Sequence, residues 1–215
     1  MVHSTDLESD RVRLIAELTA YETDAARHRL NRLALIQPPA RIISEVVRPA
    51  MYEIGERWMR GEISVAQEHH ASSLVHAWLM GVLAKFQPYR REVVVCAAAP
   101  GNQHEIGLIT VAVALAEAGY RVVYLGRSAP PESLVRTVHE TNARALFLSM
   151  STVGDVDGLR QVVRLLEDLI ADGLLVGYGG RLFADGHSPS ELPGVFVGWE
   201  PSDAVTALEH LRRTA

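Results

Sequence analysis

The hydrophobic and polar residues of this 215-residue chain repeat with two different periods. Up to about residue 86, apolar residues recur at the spacing of an amphipathic helix and glycine is scarce, which is typical of a helical bundle. From residue 92 onward, short β-branched runs alternate with amphipathic segments, which is typical of a parallel sheet joined by crossover helices. The pattern therefore predicts an α + α/β organisation in two parts.

The first part is expected to be a four-helix bundle over residues 1–88. Its helices are predicted at about residues 7–20, 22–36, 40–60 and 65–86. The Pro38-Pro39 pair separates the second helix from the third, because proline disfavours helical geometry in the residue before it. Pro49 is expected to kink the third helix. Gly61 is expected to follow the end of this helix, and a Ser-x-x-Gln capping box that begins at Ser64 is expected to start the next one.

The second part, residues 89–215, is expected to be a flavodoxin- or Rossmann-like domain with a five-stranded, parallel, doubly wound sheet. Its strands are predicted at residues 93–97, 122–125, 145–149, 174–178 and 195–197, and its helices at about 104–118, 131–141, 155–171 and 202–213, with a short turn near 181–185. A linker at residues 87–91 marks the boundary. Such sheets bind ligands outside the carboxyl ends of the strands, so the residues just after each strand are the candidates for a site.

Composition and charge narrow the set of partners. The net charge is −5 and no dense cluster of Lys and Arg occurs, so direct binding to nucleic acid is not expected. Apolar runs fall far short of the roughly 20 residues that span a bilayer, and the N-terminus lacks the apolar core of a signal peptide. A cytoplasmic protein without membrane association is therefore expected. Cys96, the single cysteine, lies in a predicted strand and is expected to be buried.

The loop after the first strand carries a candidate metal ligand. Residues 100–107 read PGNQHEIG, which contains neither a G-x-G-x-x-G fingerprint nor a Walker lysine. A neutral imidazole at His104 can offer one nitrogen to a metal while a hydrogen bond holds the other, and Asn102 is positioned to make that bond. A helix-capping histidine that binds no metal is the alternative, and His104 taken alone does not favour the metal over it.

The third and fourth strands end in small residues. Ser149-Met150-Ser151-Thr152 follows the third strand, and Gly179-Gly180 follows the fourth. Hydroxyl groups and paired glycines at neighbouring strand ends would leave a slot with hydrogen-bond donors, into which an elongated group could pass. Ordinary strand-to-helix turns are the alternative.

Taken together, three short motifs follow successive strands behind a helical bundle. They are Asn102-x-His104-x-x-Gly107, Ser149-x-Ser151 and Gly179-Gly180. This arrangement resembles the cobalamin (B12)-binding domain shared by methionine synthase, the adenosylcobalamin mutases, corrinoid methyl carriers and B12-dependent photoreceptors of the CarH type. The resemblance covers about residues 7 to 213.

The resemblance implies roles for these residues. His104 would be the lower axial ligand of cobalt, in place of the cofactor's own dimethylbenzimidazole. The displaced nucleotide tail would enter a pocket lined by Ser149, Ser151, Gly179 and Gly180. Further residues implied to contact the cofactor are Asn102, Gln103, Glu105, Gly107 and Thr152.

The stretch WMRGEISVAQEH, residues 58–69, extends the resemblance to the photoreceptor branch. Its Trp-x9-Glu-His spacing, with Val65 between, is similar to that of photoreceptors whose bundle covers the upper face of the corrin. There an indole such as Trp58 packs on a flat adenine, and a carboxylate such as Glu68 accepts hydrogen bonds from ribose. His69 and His70 lie about 100° apart around the helix, so at most one is expected to face the cofactor. A core tryptophan with a solvated Glu-His pair is the alternative.

Three features depart from that photoreceptor pattern. Asn102 stands where the family commonly has an acid, and Met59 stands where CarH-type photoreceptors have a histidine that ligates cobalt after illumination. The bundle also begins within the first ten residues, without a preceding winged-helix module. Output is thus expected to pass through a protein effector, self-association or a separately encoded domain.

The leading hypothesis is a light sensor that binds adenosylcobalamin with His104 on cobalt, with light-triggered cleavage of the Co–C bond. Two alternatives stay open, namely a corrinoid carrier subunit for a methyltransferase and a dual photoreceptor that also binds a bilin such as biliverdin. No enzymatic activity is expected, because cobalamin-dependent radical chemistry needs a substrate barrel that these residues do not supply. Self-association into a homo-oligomer is compatible with each hypothesis.

Overall fold

The computed structural model describes residues 6–127 and 129–214, which form two compact units that divide between Ala84 and Lys85. Within these described ranges, no helix has both the length and the apolar character needed to cross a membrane.

The first unit is helical. Its elements are α1 (Leu7–Thr19), α2 (Thr23–Ala34), α3 (Pro39–Ile42), a π-helical turn (Ile43–Val47), α4 (Arg48–Met59) and α5 (Val65–Leu83). The π turn joins α3 to α4 directly before Pro49, which has no amide hydrogen to continue an α-helical ladder. The disturbance predicted at Pro49 therefore takes the form of this wider turn.

The bundle buries one face of each long helix. Leu14 and Leu18 lie four residues apart on α1 and have no exposed surface, as do Leu30 on α2, Ile54 on α4 and Leu79 on α5. Contacts at this spacing are those of an amphipathic helix packing through its apolar stripe.

A charge network ties α1 to α2. The carboxylate of Asp10, only 6% exposed, accepts hydrogen bonds of 2.6 Å from both Arg29 and Arg32. Arg29 also forms a two-pronged pair with Glu17, at 2.6 and 2.9 Å. Hydrogen bonding to Glu17 raises the pKa of Arg29. A buried carboxylate is tolerated here because charge-assisted bonds replace its lost hydration.

The second unit is an α/β domain. Its elements are β1 (Val93–Ala98), α6 (Ile106–Glu117), β2 (Arg121–Gly126), α7 (Pro131–Thr141), β3 (Ala145–Ser149), α8 (Asp155–Leu165), α9 (Glu167–Ala171), β4 (Leu175–Gly179), α10 (Arg181–Ala184), β5 (Val195–Gly198) and α11 (Pro201–Thr214). The strands are all parallel, in the order β2-β1-β3-β4-β5. This confirms the predicted five-stranded, doubly wound sheet.

One predicted helix of this unit is divided. Residues 155–171 form α8 and α9, separated at Leu166, whose φ of −107° leaves the helical region. Leu166 is 1% exposed and belongs to the core on that side of the sheet. Leu159, Val162 and Leu166 keep the spacing of one helical face through the break, so a periodicity argument does not detect it.

The two faces of the sheet have different neighbours. Leu146, Leu148, Val176 and Tyr178 point into a core shared with α8 and α10. Because side chains alternate along a strand, the intervening positions, among them Ser149, point to the opposite face. Cys96 is fully buried in β1, as predicted, and burial raises its pKa to about 12.

Candidate functional site

The three predicted motifs meet at the carboxyl edge of the sheet. Strand register pairs Ala98 with Ser149, and Ser149 with Gly179. The loops that follow β1, β3 and β4 are therefore neighbours, although their motifs are far apart in sequence. This is the edge at which doubly wound sheets bind ligands.

Asn102 connects two of these loops. Its side chain is 2% exposed, and its Nδ2 donates to the carbonyl oxygen of Ser149 at 2.9 Å and to Oγ of Ser151 at 3.3 Å. Its Oδ1 accepts a bond of 2.9 Å from the main-chain N–H of His104. Asn102 therefore holds the main chain of the His104 loop through its side chain, and a bond from this oxygen to the His104 imidazole stays a prediction.

His104 lies exposed on the loop between β1 and α6. A Cβ atom on Gly107, at the start of α6, would lie 3.9 Å from Oγ of Ser149, so the helix begins against that hydroxyl. Among the described residues, no three His, Cys, Asp or Glu side chains cluster as a bare metal ion would require. An exposed imidazole beside small residues fits a ligand that brings its own metal, since imidazole is a common metal donor.

Glu105 anchors the same loop on its other side. Its side chain is 17% exposed, and its carboxylate lies 3.5 Å from Oη of Tyr124 and 3.5 Å from Nε of Arg127. Burial, followed by the nearby charge of Glu105, raises the pKa of Tyr124. Glu105 thus connects the loop to the end of β2, while Gln103 is exposed.

Asp155, which the sequence analysis missed, organises the loop after β3. It is 2% exposed, and its Oδ2 accepts hydrogen bonds from the main-chain N–H groups of Ser151 at 2.6 Å and Thr152 at 3.0 Å. Its Oδ1 accepts a bond of 3.1 Å from the Thr152 hydroxyl. The spacing Thr152-x-x-Asp155 is that of a capping box with Asp in place of Glu, and this signal could have identified the residue.

The paired glycines are required by close backbone contacts. A Cβ on Gly179 would lie 2.0 Å from the carbonyl oxygen of Gly198. Gly180 has a φ of +120°, and its Cβ would lie 2.5 Å from the carbonyl oxygen of Met150. Packing of the strand ends explains both glycines without a ligand, and their lining of a tail pocket stays a prediction.

The turn between α4 and α5 carries the other predicted site residues. Trp58 is 45% exposed at the end of α4, and Val65 is 48% exposed at the start of α5. Glu68 accepts a bond of 2.6 Å from the Ser72 hydroxyl, and the His69 side chain is 73% exposed. The alternative of a core tryptophan at position 58 is therefore wrong.

The predicted helix signals at this turn are confirmed. Gly61 has a φ of +73°, and Ser64 and Gln67 form both bonds of a capping box.

His70 has a structural role, in contrast to its neighbour. Its Nδ1 lies 3.0 Å from the carbonyl oxygen of Leu18, and its Nε2 lies 2.8 Å from the hydroxyl of Thr23. Since a carbonyl can only accept, Nδ1 carries the proton and Nε2 accepts from Thr23 in the neutral ring. His70 thus secures α5 to the α1–α2 turn with both of its nitrogens.

Both units match known domain families. Residues 11–80 match one family model described as a B12 binding domain, and residues 92–208 match a second. The chain therefore belongs to the B12-binding domain family, and the predicted resemblance to that family is confirmed.

Two curated relatives indicate different branches. The HTH-type transcriptional repressor CarH of Myxococcus xanthus is 33% identical over 177 residues, which cover 80% of this chain and 58% of CarH. Dimethylamine corrinoid protein 1 of Methanosarcina mazei is 27% identical over 150 residues, which cover 67% of this chain and 69% of that protein. The chain thus matches little more than half the length of CarH.

A solved structure supports the fold. The monomethylamine corrinoid protein of Methanosarcina barkeri aligns with a TM-score of 0.75 at 19% identity, over 94% of this chain and 99% of that one.

Proposed function

We propose that this protein binds adenosylcobalamin and acts as a light-responsive sensor. The observation that carries the proposal is the exposure of Trp58 and His69, with Glu68 beside them, at the α4–α5 turn. The bundle does not need these side chains for its core, and their spacing is that of the CarH-type photoreceptors. The 33% identity to CarH supports the same assignment.

The carboxyl edge of the sheet is proposed to hold the lower face of the cofactor. His104 would bind cobalt, and Asn102 would fix the main chain of its loop. Ser149 and Ser151 would line the passage for the nucleotide tail. The cofactor, when bound, supplies a Co–C bond that visible light can break.

The α4–α5 turn is proposed to contact the adenosyl group. The indole of Trp58 would pack on the adenine ring, and Glu68 would accept hydrogen bonds from ribose hydroxyls. When the adenosyl group leaves, the apolar side chains of Trp58, Met59 and Val65 return to water; they are 45, 58 and 48% exposed. Exposed apolar clusters favour association, so the output is proposed to be a changed contact with another copy or an effector.

A paired light and dark experiment tests the sensor function. The protein is loaded with adenosylcobalamin in the dark, and its absorption spectrum and its size by light scattering are recorded before and after green light. Both are expected to change in the wild type, whereas Trp58→Ala should change its spectrum with a smaller change in size. Protein loaded with methylcobalamin provides the control for the upper ligand. Identical spectrum and size in light and darkness would reject the proposal.

A corrinoid carrier subunit for a methyltransferase is the second candidate. The similarity to a dimethylamine corrinoid protein favours it, as does Met59, which removes the histidine expected of a CarH-type photoproduct. A carrier should bind methylcobalamin at least as tightly as adenosylcobalamin. The ratio of the two affinities, measured in the dark, distinguishes the candidates.

A bilin would add a second chromophore to the sensor. Incubation with biliverdin, followed by removal of unbound pigment, tests this version. Retained red absorbance would support it, and its absence would leave a sensor that uses cobalamin alone.

A further inference from the structure

We propose that Asp155 is a positioning residue of the cobalamin site, which sets the loop carrying His104 without touching the cofactor. The inference rests on the proposed ligation of cobalt by His104. It concerns a buried carboxylate that neither the motif positions nor the resemblance included. Asp155 is the first residue of α8 and is 2% exposed.

The geometry links Asp155 to His104 through a continuous series of hydrogen bonds. The carboxylate accepts from the main-chain N–H groups of Ser151 and Thr152 at 2.6 and 3.0 Å. The Ser151 hydroxyl in turn accepts from Nδ2 of Asn102 at 3.3 Å. Oδ1 of Asn102 accepts from the main-chain N–H of His104 at 2.9 Å. The loop after β3 is thereby linked to the loop after β1, which carries His104.

A carboxylate suits this position for two physical reasons. Charge-assisted hydrogen bonds are stronger than neutral ones, and a single carboxylate can accept all three bonds that it receives here. The start of α8 also favours a negative charge, because the first amide groups of a helix carry partial positive charge. An asparagine of the same shape has one oxygen instead of two, so it would leave at least one donor of the loop without an acceptor.

The middle of the loop between β3 and α8 is open to solvent. Thr152, Val153 and Gly154 are exposed, and Val153 is 64% exposed. Loss of the Asp155 bonds should therefore release Ser151 from Asn102 and loosen the His104 loop. The strands beneath, which are buried on both faces, should keep their structure.

The primary test compares Asp155→Asn with Asp157→Asn. Asp157 lies on the same first turn of α8, but its side chain is 92% exposed, so it is a matched control. In the dark, Asp155→Asn should bind adenosylcobalamin about 10- to 100-fold more weakly, which is the usual effect of removing a residue that orients a ligand. The spectrum of the bound cofactor should shift toward that of His104→Ala. Asp157→Asn should match the wild type in both measurements.

A second measurement needs no cofactor. Amide hydrogen exchange of Ser151, Thr152 and His104 should be faster in Asp155→Asn than in the wild type, while the amides of β1 and β3 keep their protection. If Asp155→Asn fails to fold, Thr152→Val without cofactor loses the 3.1 Å hydroxyl bond and should show a smaller increase in the amide exchange of Ser151 and His104.

A double-mutant cycle tests whether Asp155 acts through Asn102. If it does, Asp155→Asn combined with Asn102→Ala should weaken binding scarcely more than Asn102→Ala alone. Additive effects would overturn the proposed linkage. The proposal would also be overturned if Asp155→Asn bound adenosylcobalamin with the affinity and spectrum of the wild type. The same holds if His104→Ala had the spectrum of the wild type.

The outcome is separable from that of the sensor proposal, because every measurement is made in darkness. A dark effect of Asp155→Asn without any response to light would uphold the positioning role and reject the sensor. A response to light, together with unchanged dark binding in Asp155→Asn, would support the sensor and reject the positioning role.

Discussion

The two regions that carry the predicted cofactor-binding residues are built in opposite ways. At the carboxyl edge of the sheet, buried Asn102 and Asp155 hold the loops through several hydrogen bonds of 2.6 to 3.3 Å. At the α4–α5 turn, Trp58 and His69 are exposed. The first region is organised by folding before any ligand arrives. The second keeps side chains on the surface, where a ligand or partner can use them.

Two adjacent histidines show the same contrast within one helix. The His69 side chain is 73% exposed, whereas His70 uses both ring nitrogens to hold the end of α1 and the start of α2. Neighbouring residues on a helix point about 100° apart, so one can serve the core while the other serves the surface.

The largest effect is expected from His104→Ala. If this loop supplies the cobalt ligand, affinity should fall by more than the roughly 10- to 100-fold typical of residues that only orient a ligand. The free energy of unfolding should change by less than about 0.5 kcal/mol, because the side chain is exposed. A titration with adenosylcobalamin in darkness, with His139→Ala as an exposed control, measures this. An unchanged spectrum of the bound cofactor would mean that His104 is not the cobalt ligand. The carboxyl edge of the sheet would then lose its proposed role in ligation.

The next effect tests the roles of the adjacent histidines. His70→Ala should lower the free energy of unfolding of the bundle by about 1 to 3 kcal/mol, since it leaves a carbonyl and a hydroxyl without their partner. His69→Ala should change it by less than about 0.5 kcal/mol. Urea-induced unfolding followed by circular dichroism makes the comparison. An equal loss of unfolding free energy in both variants would contradict a structural role that belongs to His70 and not to His69.

A smaller effect is expected at the exposed turn. Trp58→Ala should weaken binding of adenosylcobalamin by about 0.5 to 1.5 kcal/mol, the range for a contact between aromatic rings, and leave binding of methylcobalamin unchanged. Leu35→Ala, which removes an 86% exposed apolar side chain from the same unit, is the control. Equal weakening for both cofactors would mean that Trp58 does not recognise the adenosyl group.

A similarly small effect is expected from the buried thiol of Cys96, in the sheet beneath the His104 loop. Burial raises the pKa of Cys96 from 9.0 to about 12, so the thiol stays neutral in the folded protein while the unfolded chain ionises above about pH 9. Its contribution to stability is therefore complete below about pH 9 and is lost as the pH rises toward 12. Relative to Cys96→Ala, the wild type should lose about 1 kcal/mol between about pH 8 and pH 10. Parallel pH profiles would indicate that the thiol ionises within the fold.

Much of the fold follows from local periodicity. The positions of the strands and the long helices were predicted within a few residues, because burial of an apolar stripe has the same period as the element that carries it. A kink at Pro49 was predicted, but its form as a π turn was not, and the break at Leu166 was not predicted. Periodicity does not detect the break, because Leu159, Val162 and Leu166 keep the spacing of one helical face through it.

The candidate site also has one part that the sequence predicted and one part that it did not. The spacing of Asn102, His104 and Ser149 indicated the family, which the B12 binding domain matches confirm. Their hydrogen bonds were not predictable, among them the bond of Asn102 to the main chain of His104. Asp155 was missed because an acid at a helix start is common and its partners become evident only in three dimensions.

The sequence by itself determined the order of elements and the parallel sheet, since both follow from residue types a few positions apart, and it predicted the edge where a ligand would bind. Only the tertiary structure decided that Trp58 is exposed, that His70 is a structural residue and that Asp155 holds the loop beside His104. These outcomes depend on distances between groups as far apart in the chain as Asn102 and Ser149, and a hydrogen bond is lost when such a distance changes by a single ångström.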